Sequence, residues 1–176
     1  MVEERLPSKF AFILHADVVG STTLVRKDEQ VAHNRIHGAF SRFSQIITSY
    51  GGLPLELRGD ALVAEFARAS DAVAAAIAFQ AANTEHNQGL PDDIQPKLRV
   101  GIGMGEGVIT NTTVTGIGVV LAQRLEQLAE PGGVVIQGAV YETIPKRHPF
   151  DYEGMGEIEI KGFEEPVRAY SVVLKA

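Results

Sequence analysis

Apolar positions along the chain switch between short continuous runs and a helical period, and the order of the switches predicts the elements. Phe10 to Ala16 is an apolar run that stops at Asp17 and the turn-like Val18-Val19-Gly20-Ser21, which reads as a buried strand. From about Glu29 to Tyr50, Val31, Ile36, Phe40, Phe43 and Ile47 recur at helical spacing, and Gly51-Gly52 closes that helix. Leu53 to Leu57 and Ala61 to Phe66 read as two strands of a hairpin about Arg58-Gly59-Asp60. The alanine-rich Ser70 to His86 is a second helix, with Ser70 or Asp71 as its cap and Val73, Ala76, Ile77 and Gln80 on one face. A polar loop, Asn87 to Pro96, leads into a strand over Leu98 to Met104.

The order to that point is β-α-β-β-α-β, which predicts an α+β fold with a ferredoxin-like core, an antiparallel sheet carrying its helices on one face. A C-terminal extension follows: a strand over Val108 to Thr110, a helix from about Gly116 to Leu128 and a strand over Val134 to Gln137. Beyond it come a short helix over Ala139 to Ile144 and strands near Phe150 to Tyr152, Ile158 to Ile160 and Val167 to Val173. There is no internal repeat and no linker, so residues 10–176 read as one domain behind a tail of residues 1–9.

Composition narrows the class. The 176 residues are 45% hydrophobic and 22% charged, a globular balance. Sixteen Lys+Arg against 22 Asp+Glu leave a formal charge of −6, which argues against general nucleic-acid binding, since that affinity comes from basic residues neutralising phosphates. No cysteine is present, so disulfides, thiolate zinc sites and cysteine nucleophiles are excluded. The first apolar run is cut by His15 and Asp17, and neither a signal peptide nor a membrane span is read, so the expected location is the cytoplasm.

Candidate chemistry gathers at one rim of the predicted sheet. In a β-α-β-β-α-β arrangement the first and third strands are antiparallel neighbours, so Asp17, ending the first, meets Asp60, beginning the third. Two carboxylates beside a Gly-Ser turn suit magnesium, which takes hard oxygen ligands and leaves positions for substrate phosphates. Each aspartate alone reads more readily as a turn residue.

The surroundings of the pair change its weight. Phe12-Ile13-Leu14-His15-Ala16-Asp17-Val18-Val19-Gly20-Ser21-Thr22, Arg58-Gly59-Asp60-Ala61-Leu62-Val63-Ala64-Glu65-Phe66, Leu98-Arg99-Val100-Gly101-Ile102-Gly103, Ala122-Gln123-Arg124-Leu125-Glu126 and Ile160-Lys161-Gly162 occur in fixed order. Together they resemble the class III adenylate/guanylate cyclase catalytic domain, over about Phe10 to Leu174. The resemblance implies a nucleotide cyclase fold that turns a purine nucleoside triphosphate, ATP or GTP, into the 3′,5′-cyclic monophosphate and pyrophosphate for intracellular signalling. It implies two Mg²⁺ or Mn²⁺ ions held by Asp17 and Asp60, and a triphosphate cradle formed by Val18, Gly20, Ser21 and Thr22. It further implies that Arg99 binds the β-phosphate, Arg124 stabilises the transition state and Lys161 reaches the terminal phosphate. In this family the last two come from the partner subunit, so the expected assembly is a head-to-tail homodimer with composite sites.

Three positions depart from the family pattern or leave it open. Glu56 stands where adenine-selecting members carry Lys and guanine-selecting members carry Glu, and a carboxylate suits the N–H edge of guanine. Arg58, two residues on and on the same strand face, is positioned to occupy it instead. Thr113, near the second base-selecting position, can donate or accept and decides little. Val120 stands where the family presents an asparagine to orient the ribose. Losing one placed polar group in a closed site costs ~10²–10³ in rate, so a weak enzyme or a regulatory nucleotide-binding dimerisation module is the alternative to full activity.

Other motifs lead elsewhere less well. Asp17-Val18-Val19-Gly20 matches a GTPase D-x-x-G, but no phosphate-binding G-x-x-x-x-G-K-[ST] accompanies it. Arg58-Gly59-Asp60 spells an adhesion tripeptide with nothing else extracellular about the chain. Alternating Gly101, Gly103, Gly105 and Gly107 fit a strand approached closely by another backbone rather than a dinucleotide fingerprint. His33 and His37 lack the glutamate of a zincin helix and read as solvent-facing.

Overall fold

The first strand, β1 (Lys9–Val18), sets the two faces of the molecule by simple alternation. Phe12, Leu14 and Ala16 enter one core, while Ala11 and Ile13 enter a second core on the opposite face. A computed structural model describes residues 9–57, 61–109 and 114–174, with the side chains of residues 9, 56–57, 107–109 and 114–115 outside that description. After β1 come α1 (Ser21–Lys27), α2 (Glu29–Ser49), β2 (Leu53–Leu57), β3 (Ala61–Phe66) and α3 (Ala69–Gln88). Then follow β4 (Leu98–Ile109), β5 (Val114–Thr115), α4 (Ile117–Glu126), β6 (Val134–Gln137), α5 (Gly138–Thr143), β7 (Asp151–Ile158) and β8 (Val167–Val173).

Among the described residues the strand order is β2-β3-β1-β4-β6-β8-β7, with the two-residue β5 paired to β4. β1 runs antiparallel to both β3 and β4, as the ferredoxin-like order requires, and the parallel β4–β6 pair begins the extension. The larger core lies under α2 and α3. Phe40, Phe43, Phe66 and Phe79 are fully buried there, and the rings of Phe43 and Phe79 stack at 4.1 Å. Asp28 caps α2 by accepting from the Val31 N–H at 3.1 Å. Gly51, at φ 82, turns the chain out of the helix where a side chain would be strained.

Polar residues of α3 tie this layer to the approach to β4. The buried Gln80 amide donates to the Leu98 and Gly133 carbonyls at 2.9 and 3.0 Å. Asn83 and Asn87 each donate to the Pro96 carbonyl at 2.9 Å. The Pro96 carbonyl of the loop before β4 is thereby satisfied inside the fold.

Several expectations are corrected. Ser21, expected in a turn, opens a helix that runs to Lys27, over a stretch for which no element is predicted; only Leu24 of it is buried, so it shows no apolar stripe. α3 is capped at Arg68, with no side-chain bond, not at Ser70 or Asp71. The strands expected at Leu98–Met104 and Val108–Thr110 run on as β4 to Ile109, and those near Phe150 and Ile158 are one strand, β7, with a register shift between Gly154 and Gly156.

The two long helices of the ferredoxin-like core, α2 and α3, share one face as expected, and α4 of the C-terminal extension covers the other, lying across β4 and β1. Its approach depends on glycine. A Cβ at Gly101 would sit 2.2 Å from the Ala122 carbonyl oxygen and 2.3 Å from the Glu126 nitrogen, and one at Gly105 would sit 3.2 Å from the Gly118 Cα. The alternating glycines are therefore a groove for a helix backbone, as expected of strand glycines. His33 and His37 are exposed on α2, also as expected.

Candidate active site

Asp17 is held by the two strands that flank β1. It lies opposite Ala61, the first residue of β3, on one side and opposite Arg99 of β4 on the other. By alternation it projects from the α4 face, together with His15, and Arg99 projects from that face with Gly101. Asp17 is half-buried, and its Oδ1 accepts the Val18 N–H at 2.7 Å. Asp60, one residue before Ala61, lies outside the described residues, as do Arg58 and Thr113 and the side chain of Glu56.

Two ionisable side chains beside Asp17 were given no role on sequence grounds. Glu126, the last residue of α4, is only 5% exposed, and its backbone lies directly over Gly101. Burial first, and then the negative charge of Asp17, push its carboxyl up to about 7, against the attraction of Arg99. His15 pairs with Gly101 in the strand register and is 5% exposed. Burial pulls its imidazole down to about 4, and its Nδ1 has no hydrogen-bond partner among the described residues. The same holds for the buried Nε of Arg99. The rim thus gathers Asp17, Arg99, Glu126 and His15 from β1, β4 and α4. Each left a sequence signal, Glu126 as a carboxylate on the apolar stripe of α4 and His15 as an ionisable residue interrupting the apolar run of β1.

The remaining predicted residues fall in two further places. Gly20, Ser21 and Thr22 are exposed at the start of α1, where Gly20 takes a left-handed conformation at φ 60. The first N–H groups of a helix have no intrahelical acceptor, so this end presents donors. Val18 and Val19 do not, because their amides are taken by Asp17 Oδ1 and by the Lys97 carbonyl at 2.8 Å. The open turn expected from Val18 to Thr22 is in this respect half filled.

Val120 and Arg124 share the outer side of α4. Val120 is 43% exposed and Arg124 half-buried one turn on. Arg124 is two residues, hence about 200° around the helix, from Glu126. Lys161 is exposed in the β7–β8 connection, next to Ile160, which packs in one cluster with Leu121 and Leu125 of α4. A single chain therefore sorts the predicted residues into an inner set at Asp17 and an outer set along α4.

The donor chemistry at Asp17 fits a hard cation. Among the described residues no group of three or more His, Cys, Asp or Glu forms a ready metal cage. The carboxylates of Asp17 and Glu126 nevertheless repel one another at the rim, and carboxylate oxygen is the ligand type magnesium and manganese prefer. Asp17, with Asp60 next to its partner Ala61 in sequence, are the residues that would hold such ions.

Comparison with known proteins identifies the family. The family described as Adenylate and Guanylate cyclase catalytic domain matches residues 7–174, and the chain belongs to that family. A protein of Rhizobium meliloti (strain 1021) named "Putative adenylate cyclase 3" is 33% identical over 172 residues, covering 97% of this chain and 29% of its own length. Among solved structures, the adenylate/guanylate cyclase/hydrolase from Silicibacter pomeroyi superposes with a TM-score of 0.84 at 26% identity, covering 96% of this chain and 99% of that one. The adenylyl cyclase CyaB from P. aeruginosa shares the fold, with a TM-score of 0.79 at 24% identity over 97% and 98% of the two chains. The chain thus spans under a third of the Rhizobium relative's length. No helix among the described residues is long and apolar enough to cross a membrane.

Proposed function

We propose that this domain converts a purine nucleoside triphosphate, ATP or GTP, to the 3′,5′-cyclic monophosphate and pyrophosphate, as a cytoplasmic signalling enzyme acting as a head-to-tail homodimer. The observation that carries the reading is the register at the rim, which sets Asp17 between Arg99 and the first residue of β3 in a member of the cyclase catalytic domain family. Divalent ions bound by Asp17 and Asp60 would supply Lewis-acid activation of the ribose 3′-hydroxyl and neutralise the triphosphate. Arg99 orients the pyrophosphate end of the nucleotide, and the donors of Gly20, Ser21 and Thr22 hold its phosphate oxygens. The 3′-oxygen bonds to the α-phosphorus as the bond to the bridging oxygen breaks, pyrophosphate departs in line, and the hydroxyl proton passes to solvent. Arg124 meets the charge that develops on the phosphoryl group, and Lys161 holds the terminal phosphate.

The sorting of residues supports the two-chain site. Arg124 and Val120 lie on the outer side of α4 and Lys161 on an exposed connection, which suits service to a neighbouring chain better than to the rim beneath the same helix. Base choice falls to Glu56 and Thr113, and the product assay decides it. Purified protein incubated with Mn²⁺ and either nucleotide should form cyclic product, and Asp17→Ala should abolish it. Absence of product from both nucleotides at concentrations where the chain is dimeric would sink the enzyme reading.

A second reading rests on Val120, whose exposed apolar side chain offers no hydrogen bond at the predicted ribose position. On that reading the domain binds nucleotide and dimerises with little or no turnover. Calorimetric binding of a non-hydrolysable triphosphate without product formation would favour it.

A further inference from the structure

A cavity of about 590 Å³ lies between α5 and β7, lined by Tyr141 of α5, Tyr152 of β7, and Lys146, His148 and Phe150 of the segment that joins them. In the strand order β7 is separated from β1 by β8, β6 and β4, so this cavity is not part of the rim at Asp17. Ring contacts fix its walls. Tyr141 stacks on Tyr170 of β8 at 4.1 Å and meets the Tyr152 ring edge to face at 5.0 Å, and the rings of His148 and Phe150 lie parallel at 5.7 Å. Tyr141 nevertheless stays 37% exposed. Rings held in this way offer flat apolar surface with little rotamer freedom left to lose when a ligand arrives.

Two polar features define what fits. The Tyr152 hydroxyl is buried with no hydrogen-bond partner among the described residues, although a buried hydroxyl ordinarily has one. A ligand oxygen that reaches it gives this donor an acceptor. Lys146 is exposed and opens the basic run Lys146-Arg147-His148, in a chain whose formal charge is −6. Glu142, the carboxylate on the lining, lies 3.9 Å from the Arg168 guanidinium, which offsets its charge. Flat apolar walls with one unmet donor and one lysine complement a planar ring that bears an acid group.

We infer that this cavity is a binding site for a small aromatic carboxylate, separate from the nucleotide site. The ring packs against Tyr141 and Phe150, and the carboxylate accepts from the Tyr152 hydroxyl and is neutralised by the flexible Lys146. Binding there requires neither nucleotide nor metal and is independent of the cyclase reading.

The test is calorimetric titration of the purified chain with 2-naphthoate, a planar aromatic acid. It is repeated with the corresponding naphthyl alcohol, which keeps the ring and loses the charge, and with decanoate, which keeps the charge and loses the ring. Naphthoate should bind at one site with a Kd on the order of 10⁻⁴ M, and each of the other two at least about fivefold more weakly. Lys146→Ala should weaken naphthoate about fivefold and leave the alcohol unaffected. Tyr152→Phe should weaken naphthoate about three- to tenfold while melting no lower than the parent, because it removes an unpaired buried hydroxyl. Mn²⁺ with pyrophosphate should not displace naphthoate.

No saturable binding of naphthoate up to about 5 mM would overturn the site. So would equally tight binding of decanoate or the alcohol, displacement by pyrophosphate, or parental affinity in folded Lys146→Ala and Tyr152→Phe. If Tyr152→Phe fails to fold, the exposed Lys146→Ala decides alone.

Discussion

Gly101→Ala probes the contact on which the site's geometry depends. The added Cβ would fall 2.2 Å from the Ala122 oxygen, 2.3 Å from the Glu126 nitrogen and 2.8 Å from the Glu126 Cα. All three are backbone atoms, so no rotamer change relieves the overlap. Restoring an ordinary contact of 3.4 Å requires α4 to withdraw by 3.4 − 2.2, roughly 1 Å, across the strands it covers. Overpacking of a core costs about 1–3 kcal/mol, and a rigid backbone clash belongs at the upper end. At roughly 2.1 cal/mol/K per residue, the 176 residues carry an unfolding entropy of about 0.37 kcal/mol/K, so 3 kcal/mol lowers Tm by about 8 °C. Gly154→Ala is the matched control, since its nearest neighbour is a Tyr170 ring carbon at 3.8 Å, and it should change Tm by no more than about 2 °C. Thermal unfolding by circular dichroism measures both. Activity should fall more than stability in Gly101→Ala at a temperature where it is folded, because the displacement carries Glu126 and Arg124 with it. A Gly101→Ala protein melting within 2 °C of the parent would refute the close packing of α4 on β4.

Other consequences follow from particular contacts. Gln80→Ala removes the donor to two carbonyls at Leu98 and Gly133 and should cost about 2–4 kcal/mol, read as a lower denaturant midpoint at unchanged slope. The Glu126 carboxyl, at about 7 in the fold against 4.5 ordinarily, binds its proton more tightly when folded, so its contribution to stability falls as pH rises through that window. The Tm advantage of Glu126→Gln over the parent should therefore widen from pH 4.5 to 7 and then level off; a constant gap would contradict the buried placement. His15, at about 4 against 6.5, acts in the opposite sense, losing stability as pH falls from 6.5 toward 4, and a His15→Phe chain should lack that loss. Val120→Asn on the exposed side of α4 should leave Tm unchanged and raise kcat about 10²- to 10³-fold, and an unchanged rate would remove Val120 from the account of slow turnover.

Much of this architecture is legible in the residues themselves. β2, β3, β6 and β8 have the limits their apolar runs predict, because each run is short, β-rich and bounded by polar or turn residues. α1 is not legible, since seven residues with one buried side chain leave no periodic trace. The stripe on α4 is visible as a stripe, but periodicity says only that a face is buried, not against which side of a sheet. The alternating glycines of β4 held that information, and Gly101 needed a structure to show which backbone fills the groove. The meeting of Asp17 with Arg99 and the start of β3 follows from strand order, so the inner half of the site was open to inference. Glu126 and His15 stand out in the sequence as ionisable residues in apolar runs, but their place in the site was not legible, because it lies in burial beside other charges, a property of packing across elements distant in sequence.

The central claim is that the inner set at Asp17 and the outer set on α4 complete one another across two chains, and mixing two inactive variants tests it directly. Asp17→Asn and Arg124→Ala should each be folded and unable to cyclise nucleotide alone. Mixed in equal amounts and allowed to exchange, half the dimers pair unlike chains, and one of the two sites in each is then intact, so activity should return to about a quarter of the parental value. A mixture that stays inactive while both variants are folded and dimeric would contradict the shared site.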